Sequence, residues 1–170
     1  MLTTIQLARR AACEVRSQDR VYLGRGLCEG LESYLPPNVV IVRDGSSRVD
    51  VALLTATKVC GKGDFIQSPR VNGRNQSEWS PLPIRGSRQT VILVPHCSDQ
   101  SEWLVDRCEK ENGLNQKTNC RIITSLAVID ITDVGPIVRE VASGVSASEV
   151  QQTTRATLLA GPYLKPIDIY

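Results

Sequence analysis

Two apolar segments, residues 121–124 and 127–131, constrain this chain more than any other feature. Both are rich in Ile and Val, with only the Ser125 region between them. Near-continuous apolar runs of this length suit strands buried on both faces of an α/β sheet. Residues 133–136 supply a turn, and residues 137–141 alternate apolar and charged as a half-exposed strand does. Ser146-x-x-Glu149 is a capping box, in which hydroxyl and carboxylate each satisfy a free backbone N–H where a helix begins. The stretch therefore reads as two strands, a turn, a third strand and a capped helix.

The same signals extend to the rest of the chain. Thr3-x-x-Gln6 caps a first helix with Ile5, Ala8, Ala12 and Val15 on one face, and residues 17–19 end it. Residues 20–23 form a short strand that runs into Gly24-Arg25-Gly26, and a second helix is expected over 27–34, stopped by Pro36 and Pro37. A strand, Gly-x-Gly and a helix let backbone N–H groups approach an anion or an oxyanion. The same residues also suit a plain tight turn. Residues 39–42 form the next strand, and 43–47 turn away from it.

Residues 67–88 are polar, with three prolines and little periodicity, which predicts a long surface loop. Residues 90–95 form another strand, ending at His96. That histidine admits a general-base role or a structural one at a strand end. Residues 101–108 read as a short helix with Trp103, Leu104 and Cys108 inward, and 109–119 as a polar loop. The tail after Gly161 is expected to lie as an extended arm across the domain or a partner.

Composition narrows the functional classes. A length of 170 residues suits a single domain, 1–170. A net charge of +2 offers no electrostatic case for nucleic acid or a membrane surface. Aromatic residues at 4% make stacking platforms a poor expectation. No apolar run approaches the roughly 20 residues that span a bilayer, so the expected location is the cytoplasm, or an organelle matrix. The six cysteines (13, 28, 60, 97, 108 and 120) lack a C-x-x-C pair, and there is one histidine. We expect buried free thiols and no metal site.

The segment "RIITSLAVIDIT…REVASGVSASEVQQTT" resembles the C-terminal signature of the B (beta) subunit of family I CoA transferases, the succinyl-CoA:3-ketoacid and acetate–acetoacetate types included. "VYLGRGLCEGLESYLPPNVVIV" is similar to the opening "V-x-LG-x-G-x-P" of the same subunits, with Cys28 where the family places proline. Residues 48–59 resemble the family's "G-H-V-D-V" strand, and Lys62-Gly63-Asp64 its following Gly-Asp turn. The resemblance implies an α/β fold with a mostly parallel sheet flanked by helices, in the CoA-transferase (NagB/RpiA-like) arrangement.

What the resemblance implies about chemistry is more particular. Laying "VVIVRD" on the family's "VVLQSE" puts Asp44 at the position of the nucleophilic glutamate. A carboxylate there attacks an acyl-CoA, passes through a mixed anhydride and holds CoA as an enzyme thioester. Aspartate is one methylene shorter, and a displacement of about 1 Å can lower a rate on the order of 10²-fold. Asp44-Gly45 is also a standard turn pair. Backbone N–H groups around Gly24, Arg25 and Gly26 would stabilise the oxyanion, and His96 falls on the family's "V-x-x-M-E-H" strand. Arg107, Lys110 and Lys117 are candidates to neutralise a CoA phosphate.

The chain also departs from the pattern. A few dozen residues that normally separate Asp44 from the 48–59 strand are missing, and the family's Gly-Gly-Ala-Met-Asp-Leu segment has no counterpart. The resemblance implies coenzyme A, as acyl-CoA, for substrate, a carboxylic acid as acceptor and an A-type subunit as partner. The departures leave two alternatives open: a catalytically silent subunit acting in binding or assembly, and an acyl-CoA hydrolase.

Overall fold

The computed structural model describes residues 1–28, 30–43, 48–66, 70–71, 74–75, 87–94, 103–107 and 119–169. Helix α1 (Thr4–Ala12) starts at the expected capping box, the Thr3 hydroxyl accepting from the Gln6 N–H and the Gln6 side chain from the Thr3 N–H. Its buried stripe is Leu7, Ala8, Ala11 and Ala12, continued by Val15. Ile5, expected inward, is 57% exposed. The row that meets the sheet has i+4 spacing from Leu7 through Ala11 to Val15, and Ile5 lies off it.

Strand β1 (Arg20–Leu23) follows. The helix expected over 27–34 is instead two 3-10 turns, Gly26–Cys28 and Leu31–Tyr34. Gly26 and Gly30 both take left-handed φ, at 82° and 83°, and interrupt an α-helical run before it can propagate. Then come β2 (Val40–Val42), β3 (Val51–Thr55), β4 (Lys58–Cys60) and β5 (Phe65–Ile66). Within the expected loop at 67–88, β6 (Arg70–Val71) and β7 (Arg74–Asn75) pair antiparallel. Residues 67–69, 72–73 and 76–86 lie outside the described residues.

The chain continues through β8 (Gln89–Leu93), β9 (Leu104–Val105), β10 (Asn119–Ile123), β11 (Ala127–Thr132) and β12 (Gly135–Val141). It ends with α2 (Ala147–Gln152) and β13 (Leu159–Pro166). The main sheet has eight strands in the order β13-β12-β11-β10-β8-β3-β1-β2. Five of its seven pairings are parallel, and only the β10-β11-β12 meander is antiparallel, so the sheet is mostly parallel. The expected tail arm is thus the edge strand of the sheet, parallel to β12.

Each central strand faces two cores, as side chains alternate along it. Val51 and Leu53 of β3 pack with α1, together with Val91, Leu93, Ile123 and Val128. Ala52 and Leu54 join Ile92, Ile122, Ile129, Val138 and Val150 of α2 on the other side. Leu53, Leu54, Ile92, Leu93, Ile122, Ile123 and Ile129 are fully buried, each contributing about 1.5–3 kcal/mol by leaving water. The short β5-β4-β9 sheet completes the second layer.

Strand β9 replaces the helix expected over 101–108. Val59 pairs with Leu104 and Cys60 with Val105, so a distant strand edge overrides the local pattern. Trp103 and Leu104 are buried as expected, and the indole N–H donates to the Thr153 carbonyl at 3.0 Å. Cys108 lies outside the described residues, as does Cys97. None of the four described cysteines forms a disulfide; Cys28, Cys60 and Cys120 are buried, whereas Cys13 is exposed just past α1. Burial pushes the Cys120 thiol up to about 12, which keeps it protonated and inert.

Candidate active site

Strands β1, β2, β3 and β8 run parallel, so their carboxyl ends share one edge of the sheet. Strand β1 has β2 on one side and β3 on the other. The connections therefore diverge at β1, and ligand crevices in open α/β sheets form at such switch points, outside the carboxyl ends. The Gly24-Arg25-Gly26 turn sits there.

Glycine is required at this turn for close approach. The Gly24 N–H donates to the Leu53 carbonyl at 2.7 Å. A Cβ on Gly24 would stand 3.2 Å from that same oxygen and 3.3 Å from Leu54 Cα. On Gly26, which also needs its left-handed φ, a Cβ would meet Thr55 Oγ1 at 3.2 Å. The turn is thus laid directly on the end of β3. Beneath it, the Cys28 thiol and the Thr55 hydroxyl are 3.6 Å apart. Burial raises the Tyr22 phenol, and the Arg25 charge works against that rise.

These contacts divide the donors at the turn. The Gly24 N–H is engaged by the sheet, while the Arg25 N–H has no hydrogen bond among the described residues and its side chain is exposed. Asp44 and His96 lie outside the described residues, as do Lys110 and Lys117; Arg107 is exposed. The strands that lead to Asp44 and His96 are described. Val42 closes β2 opposite Tyr22, and the next residue, Arg43, forms an ion pair with Glu32. Val94, just past β8, is buried and donates its N–H to the Ile123 carbonyl at 3.1 Å. Both strands end on the edge that carries the glycine turn.

A second polar assembly, not anticipated from sequence, lies between α1 and the sheet. Arg10 clasps Glu140 with two hydrogen bonds, at 2.8 and 2.9 Å, and reaches Glu14 at 2.7 Å. Glu14 also accepts from Arg121 at 2.8 and 3.0 Å and from the Gln89 amide at 2.6 Å. Arg121 clasps Asp130, at 2.7 and 3.2 Å, and Arg139 reaches Asp130 at 2.9 Å. Burial by itself pushes the Glu14 and Asp130 carboxyls up. The guanidiniums more than offset it, Arg121 and Arg10 for Glu14 and Arg121 and Arg139 for Asp130, so both are held below the usual carboxylate range.

A bulge makes this network possible. Ile129 pairs with Val138, yet Val128 pairs with Glu140, so Arg139 is an extra residue in β12. Without it, strict alternation would turn Glu140 away from α1. With it, Arg139 and Glu140 both meet partners on the α1 side. The one local signal for part of the network is the four-residue spacing of Arg10 and Glu14, which suits an ion pair at a helix end. The Arg121–Asp130 pairing needed the hairpin register.

No protein-family model matches the sequence. The fold, an α/β architecture on a mostly parallel sheet, is that of family I CoA-transferase structures. The acyl-CoA transferase YdiF from Escherichia coli O157:H7, in a thioester complex with CoA, superposes with a TM-score of 0.79 at 15% identity, covering 99% of this chain and 43% of that one. The decarboxylase AibA/AibB gives 0.78 at 12% identity, covering 98% and 89%. Glutaconate coenzyme A-transferase from Acidaminococcus fermentans gives 0.70 at 10% identity, covering 100% and 90%. The chain spans less than half of the YdiF chain, and no helix among the described residues is long and apolar enough to cross a membrane.

Proposed function

We propose that this chain is a CoA-transferase B-type subunit that moves CoA between an acyl-CoA and a carboxylic acid. The observation that carries the reading is the Gly24–Gly26 turn seated on the end of β3 at the switch point, within a fold shared with a CoA thioester complex. In this reading Asp44, just beyond the end of β2, is the nucleophile. Its carboxylate attacks the acyl-CoA carbonyl and CoA thiolate leaves, giving a mixed anhydride. The thiolate then attacks the aspartyl carbonyl, releasing the acyl group as a carboxylate and leaving an aspartyl-CoA thioester. The acceptor acid reverses these steps. The Arg25 N–H is the donor available for the carbonyl oxygen as it gains charge, and the Arg25 guanidinium suits a CoA phosphate. An A-type subunit would complete the site.

The decarboxylase AibA/AibB has the same fold, and fold alone does not select a reaction. A silent subunit acting in binding or assembly and an acyl-CoA hydrolase are therefore kept as outcomes of one experiment. Intact mass is measured after incubation with a short acyl-CoA, alone and with an A-type partner, for the native chain and Asp44→Ala. A CoA adduct on the native chain, lost in Asp44→Ala, is the expected result. Free acid released without an adduct supports hydrolysis; CoA bound without chemistry supports the silent subunit. Neither binding nor adduct overturns the transferase and leaves a structural subunit that acts in assembly.

A further inference from the structure

At the opposite edge of the sheet, where β8 and β10 begin, a pocket of about 470 Å³ opens beside the ionic network. That size lies within the range of about 300–1,000 Å³ usual for small-molecule sites. Arg16, Arg88, Arg121 and Arg139 line it, against two carboxylates, Glu14 and Asp130. The carboxylates are already occupied. Glu14 accepts from Arg10, Arg121 and Gln89, and Asp130 from Arg121 and Arg139. A metal cation would therefore find no carboxylate oxygen without a competing guanidinium.

The donors are in the reverse position. Arg121 is held on both sides, by Glu14 and Asp130. Arg139 uses only its Nε, leaving its terminal guanidinium nitrogens without a hydrogen bond among the described residues. The exposed Arg16 guanidinium makes none among the described residues either, and Arg88 is held by Asp19 through one nitrogen, at 2.6 Å. Four guanidiniums against two carboxylates leave the lining net positive, with unused donors on three separate side chains, Arg16, Arg88 and Arg139. A doubly charged, many-oxygen anion fits this better than a single carboxylate, since planar guanidiniums take paired oxygens.

We propose that this pocket binds a small phosphate-bearing anion, gripped by Arg16 and Arg139 and attracted by Arg88. The site lies at the strand edge away from the Gly24–Gly26 turn and does not depend on the function proposed for that turn. Calorimetric titration of the full chain with inorganic phosphate at low salt tests it, with succinate as the dicarboxylate comparison. Saturable one-site binding of phosphate is expected, weakened at least tenfold in Arg16→Ala/Arg139→Ala and unchanged in Arg9→Ala, which removes an exposed charge elsewhere on the surface. Because Arg16 is exposed, Arg16→Ala alone keeps the fold and is expected to weaken binding at least threefold. No saturable phosphate binding overturns the proposal, as does binding that both Arg16 variants leave unchanged. Succinate binding more tightly than phosphate overturns the assignment of the ligand class.

Discussion

Glu14 shows how much one side chain can organise. It lies just past the end of α1, with its side chain 8% exposed, and joins Arg10 on the helix to Arg121 on β10. Burying a carboxylate is costly, and here two guanidiniums and an amide offset that cost. Removing it leaves Arg10 with Glu140 and Arg121 with Asp130, each short of one partner, with Arg10 buried and Arg121 only partly exposed. Glu14→Ala is expected to destabilise the protein by about 3 kcal/mol, the low end for breaking a buried pair, as read by urea unfolding at pH 7. The folded-state pKa of Glu14 is lowered from 4.5, so its stabilisation is full above pH 4.5 and fades as pH falls through the folded value. Native stability should therefore drop on acidification below that point, and Glu14→Ala should flatten the drop. Equal slopes in the two proteins would remove Glu14 from the account.

Strand β12 carries the comparable role among elements. It pairs antiparallel with β11 and parallel with β13, and its register shifts against both. The β11-side bulge turns Glu140 onto Arg10. Against β13, Val138 faces Ala160 while Glu140 faces Lys165, so β13 bows outward between them. Gly161 sits in that bow, and a Cβ there would stand 2.8 Å from the Val138 carbonyl oxygen. Since backbone cannot yield as a flexible side chain does, Gly161→Ala must push the two strands apart. A loss of about 1–3 kcal/mol is expected, typical of overpacking. Hydrogen exchange is the direct measurement: amides of β13 should exchange at least tenfold faster, with those of β3 and β8 unchanged. Unaltered β13 protection would show that the bow absorbs a methyl group.

For the whole molecule, the sheet is the unifying object. It runs without interruption from β13 to β2, and each of its faces carries one core. No subset of strands buries its apolar surface without the others. We therefore expect residues 1–170 to unfold as a single cooperative unit. In a Trp79→Phe background, Trp103 fluorescence and far-UV circular dichroism should give coincident denaturant transitions. Separated midpoints would divide the chain into independent parts.

The amino-acid sequence by itself determined the local features. The strands at 121–124 and 127–131, the two capping boxes and the glycine turn after β1 rest on spacing and on bonds within four residues, which a linear reading captures. Local pattern misled where distant pairing was stronger, as at Leu104–Val105, and where paired left-handed glycines cut a helix into two turns. Of the candidate site, the Gly24-Arg25-Gly26 turn was legible as a turn; its binding role stands as proposal, as does the sequence reading of Asp44 and His96, which lie outside the described residues. Only the tertiary structure decided the strand order that makes β1 a switch point. It alone brought Arg10, Glu14, Arg121, Asp130, Arg139 and Glu140 into one network. These residues are up to 130 positions apart, and their meeting depends on register and on one extra residue in β12, neither of which any local period encodes.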